Sequence, residues 1–196
     1  RKQDARRQGH AGGVVDEGED QVLTDVAHGR ARQGHRLSNP RQVAVQQGHR
    51  GAFDGDVRTR PHGDADIGCG EGAWRAPLLK LRPKLRYLGF DSSEYAIGRH
   101  GARRNLHFAR FADFEHLRPC PPADLVVCSD VLHYLKAPEI DRGLPGLAEL
   151  CGGVAFLETF AREDAAEGDE DGFIGRPGTF YRRRFEAAGC RALGSH

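Results

Sequence analysis

The clearest chemical signal in the chain is Asp66-Ile67-Gly68-Cys69-Gly70-Glu71-Gly72. Glycines at alternate positions let a backbone turn tightly and approach a ligand where a Cβ would clash. The run that starts at Ala73 reads as a helix, so free N–H groups would stand just past the turn. In a dinucleotide site the spacing is G-x-G-x-x-G, and a pyrophosphate lies over the helix start. Here the third glycine comes one residue early, and Asp66 and Glu71 put acid beside the turn. Acid repels a pyrophosphate and attracts a ligand with a cationic ammonium or sulfonium. The bland alternative is a tight strand-to-helix turn with no ligand.

Tyr87-Leu88-Gly89-Phe90-Asp91 reads as a second strand ending in an acid, about twenty residues past the glycines, where a carboxylate can accept from both ribose hydroxyls. An acid there could instead cap or turn the chain, and Ser92 or Ser93 stands ready to cap a helix from Glu94. Further on, Asp124-Leu125-Val126-Val127-Cys128 reads as a strand that runs into Ser129-Asp130-Val131-Leu132-His133-Tyr134. Ligands of doubly wound folds bind at the carboxyl ends of the strands, so this stretch should face cofactor and substrate, with Cys128 toward the cofactor and Asp130 and His133 as catalytic candidates. His133 could take a proton from an attacking hydroxyl or amine, because imidazole titrates near neutrality. It could equally pack against a helix, and Asp130 has the same two readings.

With these residues in view, the chain resembles the class I S-adenosylmethionine-dependent methyltransferases. The D-x-G-x-G-x-G motif is matched in full, and in that family it lies along the amino-acid part of the donor. The resemblance therefore implies that Asp66, Gly68, Cys69, Gly70 and Gly72 bind S-adenosylmethionine, with Asp91 and Ser92 at the ribose. It implies that Asp113 contacts the adenine amino group and that Phe114 lies against the ring; Asp113 could also cap the turn that follows. It also makes the run from Asp124 through His133 the family's fourth motif, which closes over the methyl donor.

The elements that would hold these residues alternate from Asp64 onward. Strands are predicted at 87–90, 106–109, 124–128 and 154–159, and helices at 73–81, 94–104, 139–150 and 180–188. Short, solidly apolar strands are those of a parallel sheet covered on both faces, and right-handed crossovers make it doubly wound. The fold class is therefore α/β, Rossmann-like, with a mostly parallel sheet. Gly143, Pro145 and Gly146 interrupt the Ile140/Leu144/Leu147/Leu150 stripe and put the third helix in question. Two departures from the family stand at the ends. The segment before Asp66 is polar and broken where a first apolar strand is expected. After Cys190-Arg191-Ala192-Leu193, which begins a sixth strand, a seventh antiparallel strand is missing, so the fold reads as incomplete at the C-terminus.

Residues 1–63 differ in kind from 64–196. All the glutamines fall in the first part, and all the cysteines and tyrosines in the second. With one aromatic (Phe53), two leucines and no isoleucine, the first part cannot bury enough apolar surface to offset its chain entropy. It reads as a disordered extension, or as a non-native segment of the kind that wrong-frame translation of a GC-rich gene produces. Its five histidines have no scaffold to fix a ligand geometry, and no metal is implied. The net charge of +1 argues for neither nucleic acid nor membrane binding. The five cysteines are unclustered, as reduced cytoplasmic thiols are. Six acids between Glu163 and Asp171 read as a solvated loop or as a mobile lid over the substrate.

The reading is methyl transfer from S-adenosylmethionine to a small-molecule acceptor. A nicotinamide-dependent Rossmann oxidoreductase and an inactive methyltransferase-fold remnant are the alternatives.

Overall fold

The apolar runs become parallel strands, and their carboxyl ends gather the acids and glycines along one edge. The computed structural model describes residues 41–47, 63–164 and 172–195. In chain order the elements are strand β1 (Arg41–Gln47), β2 (Gly63–Ile67), helix α1 (Arg75–Leu81), β3 (Arg86–Asp91), α2 (Glu94–Arg104), β4 (Leu106–Phe108), a 3-10 turn (Phe111–Glu115), β5 (Ala123–Ser129), α3 (Ala137–Leu150), β6 (Cys151–Thr159), α4 (Gly178–Ala187) and β7 (Cys190–Ser195). The strands form one sheet in the order β4-β3-β2-β5-β6-β1-β7. Strands β2 to β6 are parallel, and β1 pairs antiparallel with both β6 and β7. From β2 the chain winds outward through β3 to β4, then returns to β5 on the other side. The switch point of the doubly wound sheet is therefore the β2/β5 junction.

Val126, Ala155 and Leu157 of the central strands are fully buried in one cluster with Ile140, Leu144 and Leu147 of α3, and Val127 is fully buried on the opposite face. Burying each such aliphatic side chain is worth ~1.5–3 kcal/mol relative to leaving it exposed. Helix α3 runs unbroken through the interruptions that put it in question. A Cβ at Gly143 would overlap the Phe111 carbonyl, and one at Gly146 the Phe114 carbonyl. These glycines let the helix backbone seat directly on the 3-10 turn. They are contact points rather than breakers.

The start of the sheet departs from expectation. The polar segment before Ile67 forms β2, a central strand with Asp64 and Asp66 at 3% and 1% exposure. Pairing on both sides satisfies its backbone, and the Tyr87 hydroxyl donates to Asp66 Oδ2 at 2.5 Å. The antiparallel position expected to be missing is filled by β1, which comes from before the boundary placed at residue 64. Ladder partners on both edges support a strand whose own apolar pattern is only Val43-Ala44-Val45. Residues 1–40 and 48–62, on which the disordered or non-native reading mainly falls, lie outside the described residues. Among the described residues no helix is long and apolar enough to cross a membrane.

Candidate functional site

The glycine turn leaves β2 on one side of the switch point, and residues 130–135 leave β5 on the other. Gly68, Gly70 and Gly72 all have positive φ, at 74°, 53° and 81°. A Cβ at Gly68 would overlap Val131 Cγ2, so the turn and the loop after β5 are in direct contact there. Nothing lies within 4 Å of where a Cβ would stand at Gly70, and the turn is open on that side. The N–H groups of Gly68 and Cys69 both donate to the Phe90 carbonyl, at 2.8 and 3.0 Å. This ties the turn to the end of β3.

Asp91, at that strand end, makes the second tie. Its Oδ2 accepts from Gly70 N at 2.7 Å and its Oδ1 from Ser93 N at 2.8 Å. Each carboxylate oxygen has a second lone pair, and the residue is only half-buried, so it can still accept from a ligand. Ser93 caps α2 by accepting from Ala96 N, while Ser92 is exposed beside Asp91. Glu71 Oε2 lies 3.2 Å from His100 Nε2.

The field at the turn is negative, and two thiols register it. Burial, then Asp66 and Asp91, push the Cys69 thiol well above its ordinary pKa. Burial, then Asp66, do the same to Cys128. A cationic ligand is favoured at such a place and an anionic one disfavoured.

The structure does not bring every expected residue to the rim. Phe114 is fully buried, edge-on to Phe90 at 5.4 Å between ring centroids. Cys128 is also fully buried, within the sheet. Asp113 is exposed, and its Oδ2 accepts from Arg110 N at 2.8 Å at the start of the 3-10 turn.

At the end of β5, Ser129 donates to Glu158 Oε2, and just past it Asp130 N donates to the Glu158 carbonyl at 3.1 Å. Asp130 is exposed, with φ at 63°. His133 is at 1% exposure, its Nε2 3.3 Å from Asp130 Oδ1. Over this loop lies the segment after the acid-rich run. Ile174 N donates to the His133 carbonyl at 2.9 Å, and buried Arg176 donates to the Leu135 carbonyl at 2.7 Å. Of the run itself, Glu163 and Asp164 accept from Gly178 N and Ala161 N, and residues 165–171 lie outside the described residues.

Sequence reasoning missed Tyr87, Glu158 and Arg176. Tyr87 and Glu158 stood in expected strands and carried a signal only once their register was known. Arg176 sits in an irregular segment with no pattern to mark it.

Comparison with known proteins places this geometry. Residues 65–153 match a family described as a methyltransferase domain. The trans-aconitate 2-methyltransferase of Methylobacterium nodulans is 35% identical over 108 residues, covering 47% of this chain and 40% of that enzyme. The chain thus spans less than half the length of that relative. A solved SAM-dependent methyltransferase of Archaeoglobus fulgidus has the same fold, with a TM-score of 0.54 at 17% identity, over 66% of this chain and 61% of its own. An O-methyltransferase from neocarzinostatin biosynthesis, solved with S-adenosyl-L-homocysteine and 1,4-dihydroxy-2-naphthoic acid, gives 0.50 at 21%, over 66% of this chain and 44% of its own.

Proposed function

We propose that this chain contains a class I S-adenosylmethionine-dependent methyltransferase domain and moves a methyl group from that donor to a small-molecule acceptor. The observation that carries the reading is the open, acid-flanked glycine turn at the switch point, clamped by Asp91. The residues present fit the donor. The Gly70 side of the turn has room for a ligand against the backbone. Asp66 and Asp91 give the field a cation requires, and Asp91 keeps lone pairs for ribose hydroxyls.

When bound, the donor supplies an electrophilic methyl carbon for in-line displacement. The chain's part is to hold the two reactants in line, and positioning of this kind can supply ~7–11 kcal/mol of a barrier. Gly68 and Val131 keep the turn and the loop after β5 in fixed contact. The 172–176 segment covers that loop from outside. The same acids and the early third glycine disfavour the pyrophosphate of a nicotinamide dinucleotide. All five cysteines are free thiols, and we place the protein in a reducing compartment such as the cytoplasm.

Calorimetric titration of the full chain with S-adenosylmethionine, S-adenosylhomocysteine and NADH tests the reading. Saturable binding of the first two, with no heat from NADH, is expected. A folded chain that binds neither sulfur ligand, or binds NADH more tightly, overturns it.

A further inference from the structure

We infer that Arg104, the last residue of α2, is a positioning residue for donor binding. It holds the Glu71 carbonyl from outside the site and so keeps the glycine turn in the shape that leaves Gly70 open to a ligand. This rests on the methyl-transfer reading above.

A turn with glycines at 68, 70 and 72, all at positive φ, has little preference of its own for one shape. Its surroundings have to select it. The end of β3 does so for the first half: the Phe90 carbonyl accepts from the N–H groups of Gly68 and Cys69, and Asp91 accepts from Gly70 N. The second half is held from α2. The Glu71 carbonyl accepts from Arg104 Nη1 at 2.6 Å. A guanidinium donor makes this a charge-assisted bond, roughly twice as strong as one between neutral groups.

The arginine is itself well placed. Asn105, which follows it, stands in the left-handed region at φ 59° and ends the helix by donating to the Gly101 carbonyl. Its Nδ2 donates to the Tyr87 carbonyl of β3 at 2.8 Å, and its own carbonyl accepts from Gly89 N at 3.0 Å. The end of α2 is thus tied to β3 twice. A Cβ at Gly72 would stand 3.2 Å from Leu106 Cδ2, and one at Gly101 3.0 Å from the Leu106 carbonyl. Turn, helix end and the start of β4 therefore meet in one place. A basic residue in the last turn of a helix commonly answers that helix's own carbonyls. Arg104 instead donates to a residue 33 positions earlier, in the turn.

His100 stands one turn before Arg104, at the spacing that puts two side chains on one helix face. Its Nε2 faces Glu71 Oε2 across 3.2 Å without forming a hydrogen bond, and the Glu71 side chain is 59% exposed. An exposed ion pair contributes little. The carbonyl is therefore the main point of hold, and Glu71 acts through its backbone more than through its charge. Order that is in place before binding does not have to be imposed by the ligand, and affinity rises accordingly. Removing the guanidinium lets the Glu71–Gly72 peptide rotate, so that the donor must order the turn as it binds.

The test is calorimetric titration of the full chain and its variants with S-adenosylhomocysteine, alongside urea unfolding and amide exchange. Arg104→Ala should raise the dissociation constant about tenfold, the effect of losing one hydrogen bond to a charged group, with the urea midpoint near that of the native chain. Arg104→Lys, which can still donate to a carbonyl, should bind more tightly than Arg104→Ala. Arg103→Ala, at the exposed neighbouring position, should bind as the native chain does. Glu71→Ala keeps the carbonyl and should weaken binding less than Arg104→Ala. In the unliganded Arg104→Ala chain the Gly72 amide, which donates to the Cys69 carbonyl at 2.8 Å, should exchange faster than in the native chain. A native dissociation constant in Arg104→Ala, native exchange at Gly72, or a Glu71→Ala loss as large as that of Arg104→Ala each overturns the proposal and leaves the donor site standing. If Arg104→Ala shows no urea transition, Arg104→Lys decides: native affinity and native Gly72 exchange in it overturn the proposal, and weaker binding with faster exchange supports it. A native chain that binds no S-adenosylhomocysteine overturns the methyl-transfer reading itself, and the donor role of Arg104 with it.

Discussion

Gly68→Ala separates the two strains that the glycine turn avoids. The residue has φ 74°, and an added methyl would overlap Val131 Cγ2 and stand 3.2 Å from Val131 Cβ and Cγ1. Holding alanine in the left-handed region costs ~1–2 kcal/mol, and forcing a methyl into a packed contact costs ~1–3 kcal/mol. Together they remove ~2–5 kcal/mol, a large share of the ~5–15 kcal/mol that holds a domain folded. Val131→Ala takes away both Cγ atoms and leaves its Cβ at 3.2 Å, so it should relieve the packing part alone. In urea titrations Gly68→Ala should lose the full amount. Adding Val131→Ala should restore ~1–3 kcal/mol, with a coupling energy of that size in the double-mutant cycle. The unrecovered ~1–2 kcal/mol is backbone strain. A single variant within about 0.5 kcal/mol of native, or a cycle that is merely additive, refutes the contact between turn and loop.

Two further outcomes follow from the same edge of the sheet. Asp91→Ala removes the acceptor of Gly70 N and Ser93 N and should weaken S-adenosylhomocysteine binding about 10–100-fold, or ~1.5–3 kcal/mol. An unchanged dissociation constant in a folded variant takes Asp91 out of the site. The thiols of Cys69 and Cys128 are held above their ordinary pKa by burial, then by the nearby carboxylates, so the folded chain keeps protons that the unfolded chain loses above pH ~8.5. Their contribution is full below that pH and declines above it, by up to ~1.4 kcal/mol per pH unit for each thiol. Urea midpoints in reductant should fall between pH 9 and 10.5, less steeply in a Cys69→Ala/Cys128→Ala variant; a flat profile contradicts the placement of the thiols.

Strands β3 to β6 and the helices between them were legible because their apolar runs and glycines carry local information. The lengths differ by a few residues at the ends, where backbone pairing and not side-chain pattern decides. Strand β2 was misread because Asp64 and Asp66 look like surface residues until Tyr87, on the neighbouring strand, is seen to donate to Asp66. Helix α3 was doubted because glycine read along the chain is a breaker, while glycine read across a helix face is a contact. The motif positions from Asp66 to Asp91 were visible as residues, but their joint geometry was not. That Asp91 clamps Gly70, and that His133 has its Nδ1 on the Phe160 amide, depend on partners 21 and 27 positions away. No window of sequence shows such pairs.

The place of β1 also has a consequence in time. Of the described strands it leaves the ribosome first, yet one of its ladders is with β6, about a hundred residues further along the chain, and the other with β7, later still. Until β6 has been synthesised, β1 has no edge to join, and until β1 docks, β7 has no neighbour in the sheet. The parallel strands β2 to β6 can assemble in order of synthesis through local crossovers. The antiparallel end must wait for a long loop to close. During that wait the edge of β6 stands unpaired, which is the condition under which nascent chains pair with one another.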